Sequence, residues 1–215
     1  MIVLTALEKD ALAEAFNVAL GAASATFAEV VQTEVQMSVP AVDLLTREEL
    51  IARLASLPDS AANRKLVSIA QDFASGIDIE TDAVLLFPHQ ASLEVVRRML
   101  GEHVADVQDI TELEQDALSE VGNIIINSCM GALADMFGVE FQGSLPKVAS
   151  SEVDQLVNHL HPGEATLLAQ ISMTLRASNV SGMVMFLMNV PSLEALVVHM
   201  RTYFGLDENG QQKVS

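Results

Sequence analysis

The stretch TELEQDALSEVGNIIINSCMGALADMFGVEFQGSLP, from Thr111 to Pro146, occurs twice, and the rest of the chain is arranged around it. The other copy, TALEKDALAEAFNVALGAASATFAEVVQTEVQMSVP, runs from Thr5 to Pro40 and superimposes on the second by a shift of 106 residues without a gap. Thirteen of the 36 aligned positions are identical, among them Asp10/Asp116, Glu14/Glu120, Asn17/Asn123 and Pro40/Pro146. Apolar positions drift meanwhile, Phe16 becoming Gly122. A repeat that keeps its polar residues better than its core points to function as well as fold.

Each copy opens with a helix start signal. Thr5 with Glu8, and Thr111 with Glu114, have capping-box spacing, in which the threonine oxygen and the glutamate each take one free amide. Leu12, Phe16, Leu20, Ala23 and Phe27 then recur at helical spacing on one face, and Leu118, Ile126, Cys129 and Leu133 lie at matching places. Both helices should exceed about 20 residues. Beyond each, the chain alternates as a strand does: Val35, Met37 and Val39 around Gln36 and Ser38, then Phe141 and Leu145 around Gln142 and Ser144. A short helix is expected next (Thr46 to Leu57; Ser150 to Leu160), then two strands (Leu66–Phe73 and Ala83–Phe87; Ala165–Leu175 and Gly182–Val190), then a closing helix (Ser92–Leu100; Ser192–Phe204). The closing helices match at an offset of 100, so the second copy is about six residues shorter before its last helix.

The expected fold is α+β. Two α-β-α-β-β-α repeats, about 1–105 and about 106–206, are related by a pseudo-twofold axis. They share an antiparallel sheet whose helices cover one face, both long helices among them, in a single domain of residues 1–206. The tail 207–215 should fray.

The chain has 215 residues and a net charge of −18, from 29 acidic and 11 basic residues. Such a field repels phosphate backbones and anionic lipid, so nucleic acid and membrane are not expected partners, and a partner presenting lysine or arginine is. No continuous apolar run approaches the roughly 18 residues of a membrane span, and no signal peptide is visible. The single cysteine, Cys129, excludes an internal disulfide and suits a reducing compartment, so a cytoplasmic location is expected.

On a helix turning about 100° per residue, Asp10, Glu14 and Asn17 fall within an arc of roughly 60°, and Gly21 continues the line. Asp116, Glu120 and Asn123 repeat it, continued by Asn127. This face opposes the apolar arc and should be exposed. A carboxylate and a carboxamide one turn apart can engage a cation and a water on one partner. Asparagine gains nothing mid-helix unless it contacts something. His159 and His161 lack further ligands for a metal site, and Cys129 falls on the apolar side as a structural thiol. No Gly-x-Ser-x-Gly, phosphate-binding glycine loop or His-Glu-x-x-His occurs.

The pattern [Asp/Ser]-x3-Glu-x2-Asn-x22-Pro resembles the signature of the CheC/CheX/FliY phosphatases of bacterial chemotaxis, and two motifs in one chain of this length resemble the CheC form. The resemblance implies hydrolysis of the aspartyl phosphate of a CheY-type response regulator. It makes Glu14, Asn17, Glu120 and Asn123 the catalytic residues, with each glutamate pairing with a regulator lysine and each asparagine orienting water. Asp10, Pro40, Asp116 and Pro146 then have structural or docking roles. It implies no intrinsic cofactor, the Mg2+ belonging to the regulator's acidic pocket. The alternative is a non-catalytic adaptor that binds a receiver domain or the receptor deamidase CheD.

Overall fold

The computed structural model describes residues 3–55, 65–76, 79–100, 111–152, 165–175, 178–188, 190–207 and 209–211. Helix α1 (Ala6–Val31) leads into strand β1 (Val35–Leu45) and helix α2 (Arg47–Ala55), followed by β2 (Lys65–Ser75), β3 (Glu80–Pro88) and α3 (His89–Leu100). The second half runs α4 (Glu112–Phe137), β4 (Phe141–Gly143), β5 (Lys147–Glu152), β6 (Ala165–Leu175), β7 (Ser178–Met188) and α5 (Val190–Tyr203).

The start signals work as read. The Glu8 carboxylate accepts from the Thr5 amide at 2.6 Å, and the Glu8 amide donates to Thr5 Oγ1 at 3.3 Å. Glu114 accepts from the Thr111 amide in the same way, and Thr46 and Glu49 form a third box ahead of α2. Each long helix ends at a left-handed residue, Gln32 in one and Gly138 in the other.

All seven strands form one antiparallel sheet in the order β1-β6-β7-β3-β2-β4, with β5 also pairing β2. Exchanging the halves leaves this order unchanged, with the axis between β7 and β3. The pairing repeats as well: Val35↔Leu175 recurs as Phe141↔Ser75, and Ala41↔Gln170 as Lys147↔Ala70. First strands are thus related by 106 residues and second strands by 100, which puts the six-residue shortening between them.

Strand alternation sorts the core into two layers. Ala83, Leu85, Phe87, Leu167, Ala169, Val184 and Phe186 face α1, α3, α4 and α5. Val84, Leu86, Leu168, Met183 and Met185 face the other way, onto Leu50 and Leu54 of α2. The long helices do share one face, but α2 covers the opposite one. This corrects the expectation of helices on one face only: leucines at helical spacing look the same whichever side they pack on. Ala6–Val31 and Glu112–Met136 are each long and apolar enough to span a membrane by length and composition alone; here both turn their apolar arcs to the sheet.

Three expected boundaries are corrected. The strand expected to run from Phe141 to Leu145 stops at Gly143, and Ser150, expected to start a helix, lies in β5, where it pairs Val67 of β2. Val190 opens α5 rather than ending a strand. Ser151 and Glu152 also lie in β5, and the remainder of the helix expected to Leu160, with His159 and His161, lies outside the described residues. Within the described part of the tail, Asp207 Oδ1 accepts from the amides of Asn209 and Gln211, and Gly210 packs against Glu8 and Thr5.

Candidate functional site

α1 lies along β1 and is tied to it at three points. Lys9 Nζ meets Asp43 Oδ1 at 2.7 Å, and the Met37 amide donates to Ser24 Oγ at 3.1 Å. Between these, Asn17 Nδ2 donates to the Val39 carbonyl at 3.3 Å while the Val39 amide donates to Asn17 Oδ1 at 2.7 Å. The matching residues on α4 are Gln115, Met130 and Asn123, and none of the three ties is repeated there. Asn17 is therefore half-buried and its amide is engaged, a correction to the expectation of an exposed residue.

Pro40 explains the tie. Proline has no N–H for a ladder and sits only at sheet edges or bulges, and β1 is an edge strand. The register with β6 shifts between Ser38 and Ala41, so Val39 and Pro40 together oppose Ile171. Val39 is buried, 2% exposed, and a buried backbone pair needs partners. Ile171 offers none, and the Asn17 amide supplies both. The 22-residue gap between Asn17 and Pro40 has this structural meaning in the first copy.

The second copy solves the same bulge from the other side. Gln71 of β2 stands where Ile171 stands in β6, and its Nε2 donates to the Ser144 carbonyl at 3.0 Å. The Ser144 amide donates to the Asp72 carbonyl at 2.8 Å, and the Asp72 amide to Ser144 Oγ at 2.9 Å. Leu145, the counterpart of Val39, turns outward and is 85% exposed. Asn123 has no strand backbone to serve and is exposed. Its Oδ1 instead accepts from Asn127 Nδ2 at 2.7 Å, and the same Nδ2 lies 2.7 Å from the Asn123 carbonyl.

The two helices also differ at one packing position. Phe16 stacks on Phe186 of β7, with ring centroids 5.7 Å apart. At the matching Gly122, an added Cβ would lie 2.2 Å from Ile69 Cγ2, so α4 rests directly on β2.

Asp10, Glu14, Asp116 and Glu120 are all exposed and none has a hydrogen bond or ion pair among the described residues. These four carboxylates are open to a cationic partner. Glu14 also stands on the rim of a groove of about 450 Å3 between α1 and α4, floored by small residues such as Ala15, Ala19 and Gly131. Among the described residues, no group of three or more histidines, cysteines or carboxylates is arranged to hold a metal. Cys129 is buried, and burial pushes its thiol up to about 12, which fits a packed thiol.

No protein-family model matches the chain. It is 24% identical over 157 residues to the CheY-P phosphatase CheC of Bacillus subtilis, the match covering 66% of this chain and 66% of that protein. The chain thus spans about two thirds of the relative's length. In fold it is similar to FliY of Thermotoga maritima, with a TM-score of 0.71, 19% identity, and 94% and 99% of the two chains covered. The chain resembles the CheC/CheX/FliY family in sequence and in fold. The likeness extends to the CheX–CheY–BeF3–Mg2+ complex of Borrelia burgdorferi, with a TM-score of 0.50, 20% identity, and 82% and 96% covered. Of the residues this resemblance makes catalytic, Glu14, Glu120 and Asn123 are exposed and Asn17 is not free. Sequence reasoning missed Gln71; its signal was the change to Ile171 opposite a duplicated proline.

Proposed function

We propose that this protein hydrolyses the aspartyl phosphate of a CheY-type receiver in chemotaxis signalling, in the cytoplasm, with Glu120 and Asn123 as the acting pair. One observation carries the reading: α4 presents an unpaired carboxylate and a carboxamide one turn apart on an exposed face, in a chain similar to a CheY-P phosphatase. Glu120 pairs with a lysine beside the receiver's phosphoaspartate and fixes the helix against it, and the acidity of the chain draws such a partner in. Asn123 then enters the receiver's site and orients a water in line with the phosphorus. The water oxygen bonds to phosphorus as the bond to the aspartate oxygen breaks. The carboxylate leaves with the electron pair, and the water's proton goes to the released phosphate or to solvent. Such a reaction needs placement and charge stabilisation more than covalent help. A neutral amide supplies placement without adding negative charge. The Mg2+ stays with the receiver.

Glu14 offers a second contact of the same kind, with Asn17 held back as the bracket of β1. The test is phosphate release from a phosphorylated CheY-type receiver with Mg2+ present, alongside binding of the same receiver. Acceleration by wild type, lost by about 100-fold in Asn123→Ala with binding retained, is the expected result. Binding without any acceleration overturns the reading in favour of an adaptor.

A further inference from the structure

The geometry points to Asn127 as the positioning residue for Asn123, an inference that rests on the phosphatase reading above. An asparagine amide turns freely about its last torsion, whose energy wells are broad and nearly twofold. On an exposed helix face, Asn123 would therefore offer its oxygen and its NH2 in turn. Asn127 removes that freedom. Its Nδ2 reaches Asn123 Oδ1 and the Asn123 carbonyl at 2.7 Å each, so it is anchored to the helix backbone by the same group that grips the amide.

The consequence is a fixed polarity. The Asn123 oxygen is held toward Asn127, and Nδ2, with no partner among the described residues, faces away with both hydrogens free. Asn123 is thereby set to donate, either to the oxygen of a water, which keeps a lone pair for phosphorus, or to a phosphoryl oxygen. The first copy has no counterpart: Gly21 lies one turn beyond Asn17, and Asn17 takes its orientation from Val39 instead. Each asparagine is thus oriented by a different neighbour, one toward the sheet and one toward solvent.

The test compares wild type with Asn127→Ala and Asn127→Gln in steady-state hydrolysis of a phosphorylated receiver, with side-chain amide NMR on the same proteins. Asn127 is exposed, so both variants should fold. We expect Asn127→Ala to lower kcat about 10-fold, the scale of one net hydrogen bond, with KM for the receiver unchanged. Asn127→Gln, which can still donate, should restore part of the rate. The Asn123 Nδ2 proton signals should shift and broaden in Asn127→Ala. Unchanged kcat in Asn127→Ala, a change confined to KM, or unmoved Asn123 signals overturns the positioning role while leaving the phosphatase reading intact. Absence of turnover in wild type overturns both together, and is recognised because the variants are then irrelevant to it.

Discussion

Asn17 brackets the backbone of Val39, accepting from its amide at 2.7 Å and donating to its carbonyl at 3.3 Å. The same motif residue in the second copy, Asn123, makes no hydrogen bond to a strand among the described residues and pairs with Asn127 instead. One sequence signature therefore carries two physical roles, set by whether an isoleucine or a glutamine faces the bulge.

The roles separate by stability. Removing two hydrogen bonds from a buried strand backbone costs about 1–3 kcal/mol, so Asn17→Ala should lower the denaturant midpoint clearly. Asn123→Ala should leave it unchanged or slightly raised, since alanine is the better helix former by up to about 0.7 kcal/mol. Equal midpoints for the two variants in urea would contradict the bracket.

Two helix glycines at non-equivalent places should respond in opposite directions. A Cβ at Gly21 meets nothing within 4 Å, so Gly21→Ala should stabilise by about 1 kcal/mol. At Gly122 the same change pushes into Ile69, and overpacking should cost about 1–3 kcal/mol. The penalty should shrink in an Ile69→Ala background. Thermal unfolding of wild type, the three single variants and the Gly122→Ala/Ile69→Ala double variant reads this directly.

The chain ends are clasped by Glu8, which is fully buried and meets Arg201 Nε at 2.6 Å. Burial alone would push this carboxyl up. The Thr5 amide, Arg201 and the Thr5 hydroxyl outweigh it and hold the group below the usual carboxylate range. A depressed carboxylate contributes stability that is full above its unfolded value and lost as pH falls through the folded one. The wild type should therefore lose stability on acidification below about pH 4.5 more steeply than Glu8→Gln. Arg201→Leu, which strands a buried charge, should cost about 3 kcal/mol at neutral pH. Parallel acid-unfolding curves for wild type and Glu8→Gln would show that the Glu8–Arg201 pair does not stabilise the fold.

Cys129, with its thiol pushed up to about 12 inside the core, should resist a maleimide at neutral pH in the folded protein and react fully in denaturant. Labelling of the native protein at the unfolded rate would show that α4 is not packed as described.

Much of this was legible in the sequence because it is local. The capping boxes at Thr5 and Thr111, the long helices and the strand alternation each depend on residues a few places apart. The repeat itself foretold the pairing symmetry, since two copies of one unit must offer complementary edges. What escaped is long-range. Whether α2 packs above or below the sheet depends on the sense of a connection, which no periodicity encodes. That Asn17 faces β1 depends on Ile171, more than 150 residues away in the chain. The doubled proline was the available hint, because a proline within a strand demands a bulge, and a bulge demands a partner for its backbone.

The most direct test of the central claim is the rate of phosphate release from a phosphorylated CheY-type receiver by Asn17→Ala and Asn123→Ala, each measured where it is fully folded. Asn17→Ala should keep near wild-type turnover, and Asn123→Ala should lose about 100-fold. Loss in Asn17→Ala with turnover kept in Asn123→Ala would contradict it, and would move the chemistry to the helix whose asparagine is bound to Val39.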